Sequence, residues 1–228
     1  MNKGSFLNNK NEKPLIIFDM DGLMFDTETL AIKLWDKVGK KFGYEIEPEL
    51  VIKTIGIDVK GTEKIFMDHF GGDFPFMEIR TLREEYAFRY MEEKGMPVKP
   101  GLFELLDFLE DNKIRKALAT SSERIKAEKY LILGNVVDRF DYAVCGDEVK
   151  NGKPDPEIFL KVAQKAGFNN EECSVLEDSE SGILSASRAG MKSIFIKDVK
   201  DLSEDTKKLV FKEFKSLLEV RDFLKSIL

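Results

Sequence analysis

Histidine is nearly missing from this 228-residue chain, with His69 the single example. A mechanism built on paired histidines is therefore excluded. His69 itself, in Phe66-Met67-Asp68-His69-Phe70, reads as a surface or packing residue near a helix end. Cysteine is almost as scarce. Cys145 and Cys173 stand far apart, which gives neither zinc-ligand spacing nor a disulfide framework. They are expected to be reduced structural thiols in a cytoplasmic protein. No basic cluster interrupts a formal net charge of -6, so a footprint for nucleic-acid phosphates is not expected. No apolar run reaches membrane-spanning length. The start, residues 1–13, is rich in Asn and Lys and lacks the apolar segment of a secretory signal or anchor. It reads as a frayed tail. Internal repeats and low-complexity tracts are absent too.

What remains is a globular composition, 43% hydrophobic and 34% charged, sufficient for one large domain or a domain with a sizeable insertion. Five short apolar or β-rich runs recur, at Leu15–Phe18, Lys116–Ala119, Tyr142–Cys145, Ser174–Leu176 and Ser193–Ile196. Helical spacing fills the gaps between most of them. Leu102, Leu105, Leu106 and Leu109 form one stripe, Ile158, Phe159, Val162, Ala163 and Ala166 another, and Ile183, Leu184, Ala186 and Ala189 a third. Leu217, Val220, Leu224 and Ile227 predict a closing helix. Strands alternating with helices predict an α/β fold with a Rossmann-like parallel sheet covered on both faces. Its reactive groups should lie beyond the strands' carboxyl ends.

Residues 28–95 break that rhythm. They are helix-biased, with Ala31, Leu34, Trp35 and Val38 as one stripe and Arg80–Glu93 as a further helix. We read them as an inserted α-helical domain, with 1–27 and 96–228 forming the α/β core. The segment Gly95-Met96-Pro97-Val98-Lys99-Pro100-Gly101 is the natural return hinge, and the other hinge is expected near Asp26-Thr27-Glu28.

Four strand ends carry chemistry. The run Leu15–Phe18 stops on Asp19-Met20-Asp21-Gly22. Two acids two positions apart on extended backbone leave on the same side, and a divalent cation or a held proton would make them tolerable together. An acidic turn is the plain alternative. Ala119-Thr120-Ser121-Ser122 places hydroxyls just before a helix expected to begin at Ser122 or Glu123, where an anion could bind. An ordinary N-cap competes with that reading. Gly152-Lys153-Pro154-Asp155-Pro156 fixes a lysine before a rigid helix start, where it can meet an anion instead of only solvent. Leu176-Glu177-Asp178-Ser179 again ends a buried run on adjacent acids. With no thiolate or imidazole nearby in sequence, Asp19 and Asp178 fit Mg²⁺ better than Zn²⁺.

Together the strings DMDGLMFDTE, ATSS, GKPDPEIF and LEDSESG resemble the four motifs of the haloacid dehalogenase-like phosphotransferases. The helical insertion resembles the cap of the branch containing β-phosphoglucomutase and phosphoglycolate phosphatase. The resemblance runs from about Pro14 to Ile196. It implies Asp19 as a nucleophile that forms an aspartyl-phosphate, and Asp21 as the acid for the departing alkoxide and then the base for water. It implies Mg²⁺ held by the Asp19 side chain, the Asp21 backbone carbonyl and Asp178, with Glu177 as direct or indirect support. Thr120, the Ser121 backbone N–H and Lys153 would bind the transferring phosphoryl group, and Asp26 and Thr27 match the start of the cap. The expected activity is that of a Mg²⁺-dependent phosphatase acting on a small phosphorylated metabolite.

A sugar-phosphate mutase is the rival reading. Its cap histidine falls on Ala31, its cap arginine on Val59 beside Lys60, and its Lys-Asn pair on Glu123 and Arg124. These departures favour the phosphatase. Arg83 and Lys60 remain candidates for substrate contact, against a reading as solvated helix charge. A dehalogenase would leave Asp21 without a task, because a halide departs unprotonated. A receiver-type phospho-accepting domain would need neither the second acid nor the large insertion.

Overall fold

Among the described residues, all six strands run parallel, in the order β3-β2-β1-β4-β5-β6. They are Leu15–Phe18 (β1), Lys116–Ala119 (β2), Tyr142–Val144 (β3), Cys173–Glu177 (β4), Lys192–Ile196 (β5) and Lys212–Phe214 (β6). The computed structural model describes residues 13–57 and 59–227. The expected tail, apart from Lys13, lies outside them. β1 pairs with β2 on one side and β4 on the other, with Ile17 opposite Ala117 and Val175. The strand order reverses between β1 and β4, so a crevice opens at their carboxyl ends, where such sheets bind ligands.

Every residue of β1, β2 and β4 is buried, as expected of parallel strands covered on both faces. The helices Leu102–Asp111 (α5), Glu157–Ala166 (α7) and Glu180–Arg188 (α8) supply the cover. Leu102, Leu105, Leu106 and Leu109 of α5 are fully buried. Ile158, Phe159, Val162 and Ala163 of α7 pack with Leu15, Ile17, Val175 and Ala186 in one cluster. The closing helix forms as expected, at Leu217–Ile227.

Three sequence expectations change. Lys212–Phe214 was not anticipated as a strand. It is short and mostly exposed at the sheet's edge, so it has no buried-run signature. The run at Tyr142–Cys145 is a three-residue strand with only Val144 buried. The helix after the hydroxyl motif begins at Arg124 (Arg124–Leu133, α6), and its N-cap, Glu123, makes no side-chain cap bond.

The chain divides into two compact units. One comprises everything up to Phe25 together with Val98–Leu228, and the other is Asp26–Pro97. The second unit is helical: Thr27–Gly39 (α1), Pro48–Thr54 (α2), Val59–Phe70 (α3) and Phe76–Lys94 (α4). Its core is aromatic. Trp35 stacks on Phe66 at 4.6 Å and on Phe76 at 5.7 Å between ring centroids. Phe74 stacks on Phe66 and Phe70. Arg83 is not a solvated charge. It is largely buried, with its guanidinium 5.3 Å from the Trp35 ring. Lys60 is exposed. Among the described residues, no helix is long and apolar enough to cross a membrane.

Candidate active site

The sheet brings Asp19, Glu177 and Asp178 together because β1 and β4 are neighbours in register. Phe18 lies opposite Leu176, and the Asp19 amide donates to the Leu176 carbonyl at 3.1 Å. The next residues of both strands therefore emerge side by side. Carboxylate oxygens of Asp19, Glu177 and Asp178 all lie within 4.8 Å of one another, and all three residues are buried.

Lys153 completes the group. Its Nζ donates to Asp19 Oδ1 at 2.5 Å, Glu177 Oε1 at 2.7 Å and the Ala119 carbonyl at 3.2 Å. Its side chain is only 4% exposed, which removes the solvated-lysine alternative. The cis Lys153–Pro154 peptide lies at this position, and Asp155 Oδ1 accepts from the Glu157 amide at the start of α7.

Burial is the main force on Asp19, pushing its carboxyl up to about 7; Lys153 opposes the rise, and Glu177 and Asp21 add to it. Proximity of the two loop acids, the tension visible in the sequence, is thus the lesser cause. Burial would pull the Lys153 ammonium down, but the charges of Asp19 and Glu177 outweigh it and hold its pKa above the ordinary lysine value.

Glu177 is saturated with donors. Its Oε2 accepts from the Asp178 amide at 3.0 Å, the Ser179 amide at 2.9 Å and Ser179 Oγ at 2.8 Å, while Oε1 takes Lys153. Ser179 also caps α8, accepting from the Gly182 amide. A Cβ on Gly182 would fall 1.9 Å from the Glu177 carboxylate, so only glycine lets that helix close over the acid. Gly22 has φ +82°, and a Cβ there would sit 2.2 Å from Asp178 Oδ2. Both glycines make room for carboxylates.

Three clustered hard oxygen donors in a buried crevice suit a divalent cation such as Mg²⁺. Because the Glu177 oxygens are committed to Lys153, Ser179 and the loop amides, Asp19 and Asp178 are the better placed ligands. A second group, Cys145, Asp147 and Glu148, also has its ligand atoms close together. There burial pushes the Cys145 thiol up to about 11, and Glu148 is bound to Arg124 and the Cys145 amide. Both Cys145 and Cys173 are free and buried.

The Asp21 carboxylate turns elsewhere. Ser122 Oγ donates to its Oδ2 at 2.8 Å, and Lys126 Nζ lies 3.8 Å from Oδ1. Thr120 is buried, and its Oγ1 accepts from the Ser122 amide at 3.0 Å. The hydroxyl motif is therefore no N-cap. Asp147 instead accepts the Arg124 amide at the start of α6. Ser121 lies exposed between Thr120 and Ser122. Its carbonyl abuts Gly146, where a Cβ would fall 2.2 Å away.

The sequence reading missed Ser122 and Lys126 as participants. It also missed Asp198, which is paired with Lys99 at 2.6 Å and lies close to Gly22. Ser122 was within the quoted motif. Lys126 and Asp198 carried no signal, since each sits in a run of ordinary surface composition.

Residues 16–196 match the haloacid dehalogenase-like hydrolase family. The chain belongs to that family. A phosphorylated carbohydrates phosphatase of Thermotoga maritima is 34% identical over 186 residues, covering 79% of this chain and 83% of that protein. The fructose-1-phosphate phosphatase of Escherichia coli strain K12 is 30% identical, covering 80% and 95%. Among solved structures, one from Thermotoga maritima named as a candidate β-phosphoglucomutase has a TM-score of 0.79 at 29% identity, covering 94% of this chain and all of that one. The family member described here is an enzyme of phosphoryl transfer.

Proposed function

We propose that the chain is a Mg²⁺-dependent phosphatase that hydrolyses a small phosphate monoester through an aspartyl-phosphate on Asp19. The observation that carries this reading is the Lys153 ammonium joining Asp19 and Glu177 at the reversal between β1 and β4. Phosphoryl transfer calls for an anionic nucleophile and fixed positive charge at one point.

The Asp19 carboxylate attacks phosphorus in line, and the bond from phosphorus to the ester oxygen breaks. Asp21 gives its proton to that oxygen, so a neutral alcohol departs. Asp21, now a carboxylate, takes a proton from the water that attacks the phosphoryl group. Asp19 is thereby released as a carboxylate and inorganic phosphate leaves. Ser122 holds Asp21 in place through its 2.8 Å hydrogen bond. Lys153, Thr120 and the Ser121 amide grip the transferring group. Mg²⁺, when held by Asp19, Asp178 and the Asp21 backbone carbonyl, supplies charge neutralisation at the transferring oxygens. Residues 28–95 correspond to the cap of the family's branch. A cytoplasmic setting agrees with two buried, unpaired cysteines. The partner is a small phosphate ester, not nucleic acid or membrane.

Asp19→Asn removes the nucleophile. Release of phosphate from p-nitrophenyl phosphate with Mg²⁺ should fall by ~10⁴-fold or more, and turnover close to wild type would rule the assignment out. The structural likeness to a candidate β-phosphoglucomutase supports a mutase as second reading. β-Glucose 1-phosphate decides between them: free phosphate supports the phosphatase, and glucose 6-phosphate formed with a bisphosphate primer supports the mutase.

A further inference from the structure

We propose that Lys126 reads an anionic group on the alcohol half of the substrate, so that preferred esters carry a carboxylate or second phosphate within a few bonds of the ester oxygen. This rests on the phosphatase reading, with Asp21 as the acid for the leaving group.

Lys126 stands in the first turn of α6, with Nζ 3.8 Å from Asp21 Oδ1. That separation exceeds a hydrogen bond but is well within Coulombic reach. Its ammonium also meets an aromatic ring. The ammonium lies 5.0 Å from the centroid of the Tyr130 ring, one turn along the same helix. Tyr130 is buried and meets Phe25 edge-on at 6.5 Å. A Cβ on Gly134 would fall 2.5 Å from the Phe25 ring, so a glycine makes space for that ring. An aromatic platform therefore carries Lys126 to the second acid of the first motif.

Neighbouring cations have other tasks. Lys153 serves Asp19 and Glu177, and Lys99 pairs with Asp198. Arg124, one of the two residues at the mutase Lys-Asn position, is turned to Glu148 and the Ala143 carbonyl. Lys126 faces the leaving-group acid at 3.8 Å.

An acid that protonates the ester oxygen must come within about 3 Å of it. The ester oxygen then lies within roughly 7 Å of Lys126 Nζ, adding that reach to the 3.8 Å separation, and the next atoms of the departing alcohol lie little farther. A negative group on those atoms would meet repulsion from Asp21 in its ionised form, and the ammonium offsets it. A neutral alcohol gains nothing from the same lysine.

The test compares 2-phosphoglycolate with its uncharged amide, each with Mg²⁺, alongside p-nitrophenyl phosphate. Wild type should favour the carboxylate by about tenfold or more in kcat/KM, mainly through KM. Lys126→Met should remove most of that preference, and Lys126→Arg should keep it. A wild-type ratio near one overturns the inference without needing any variant, as does Lys126→Met with the ratio intact. A lysine that merely braces Asp21 would slow both esters equally. If wild type turns over neither these esters nor p-nitrophenyl phosphate, the phosphatase reading falls and takes this inference with it.

Discussion

The α/β unit and the helical unit hold themselves together differently. In the α/β unit, charge is carried inside. Lys153, Asp19 and Glu177 are buried in mutual contact, and the burial of Asp19 opposes its ionisation. In the helical unit, rings and aliphatic side chains fill the interior, and the largely buried charge of Arg83 lies over the Trp35 ring instead of joining a buried ion group. Trp35, Phe66, Phe74 and Phe76 are buried in one cluster, while pairs such as Lys64–Asp68 and Lys40–Asp36 stay at the surface. A ring cluster asks only for volume and shape. A buried ion group asks for every partner at once. The first tolerates many combinations of apolar side chains, whereas the second fixes residues one by one.

Lys153→Met tests that contrast most severely. It leaves two buried carboxylates facing each other, so we expect a loss of about 3–5 kcal/mol in urea unfolding and a fall in kcat/KM of ~10³-fold. Near-native stability would make the α/β unit no different from its aromatic neighbour.

Phe66→Ala is the counterpart in the helical unit. Phe66 is fully buried between Trp35, Phe74 and Phe76, and its loss should cost about 3–5 kcal/mol. Trp35 is the chain's single tryptophan, so intrinsic fluorescence reports on this unit. A fluorescence midpoint unmoved by Phe66→Ala would refute the ring cluster as its core.

A smaller effect separates the units by pH. A carboxyl raised to about 7 in the folded state binds its proton more tightly folded than unfolded. Its contribution to stability is therefore full below pH 4 and fades as pH rises toward 7. In EDTA, the melting temperature should fall across that window relative to Asp19→Asn, which has no such titration. Mg²⁺ should flatten the slope by favouring the ionised form, and an identical slope with and without Mg²⁺ would argue against metal at Asp19.

The smallest change is expected from Lys64→Ala. This pair is exposed on both sides, and the melting temperature should stay within about 1 °C. A larger drop would mean that surface charge contributes to the helical unit after all.

Legibility followed the same division. β1 and β2 lie where their apolar runs placed them, because buried parallel strands read as continuous hydrophobic stretches. α2 and α3 were not distinguished in advance, since Leu50, Val51 and Phe66 are their few buried apolar anchors. β6 is held by its pairing with β5, not by its own composition. Within the site, Asp19, Lys153, Glu177 and Asp178 were legible because each directly follows a strand or precedes a rigid turn. Lys126 was not, because its meaning depends on which way one face of α6 points.

The amino-acid sequence alone determined which side chains stand at the strand ends, and therefore which chemistry the family uses. Only the tertiary structure decided their partners: that Lys153 bridges Asp19 and Glu177, and that Asp21 turns to Ser122 and Lys126. The reason is range. Strand periodicity and turn chemistry act over a few residues, whereas these contacts join positions more than a hundred apart in the chain, or elements whose order in the sheet no local signal encodes.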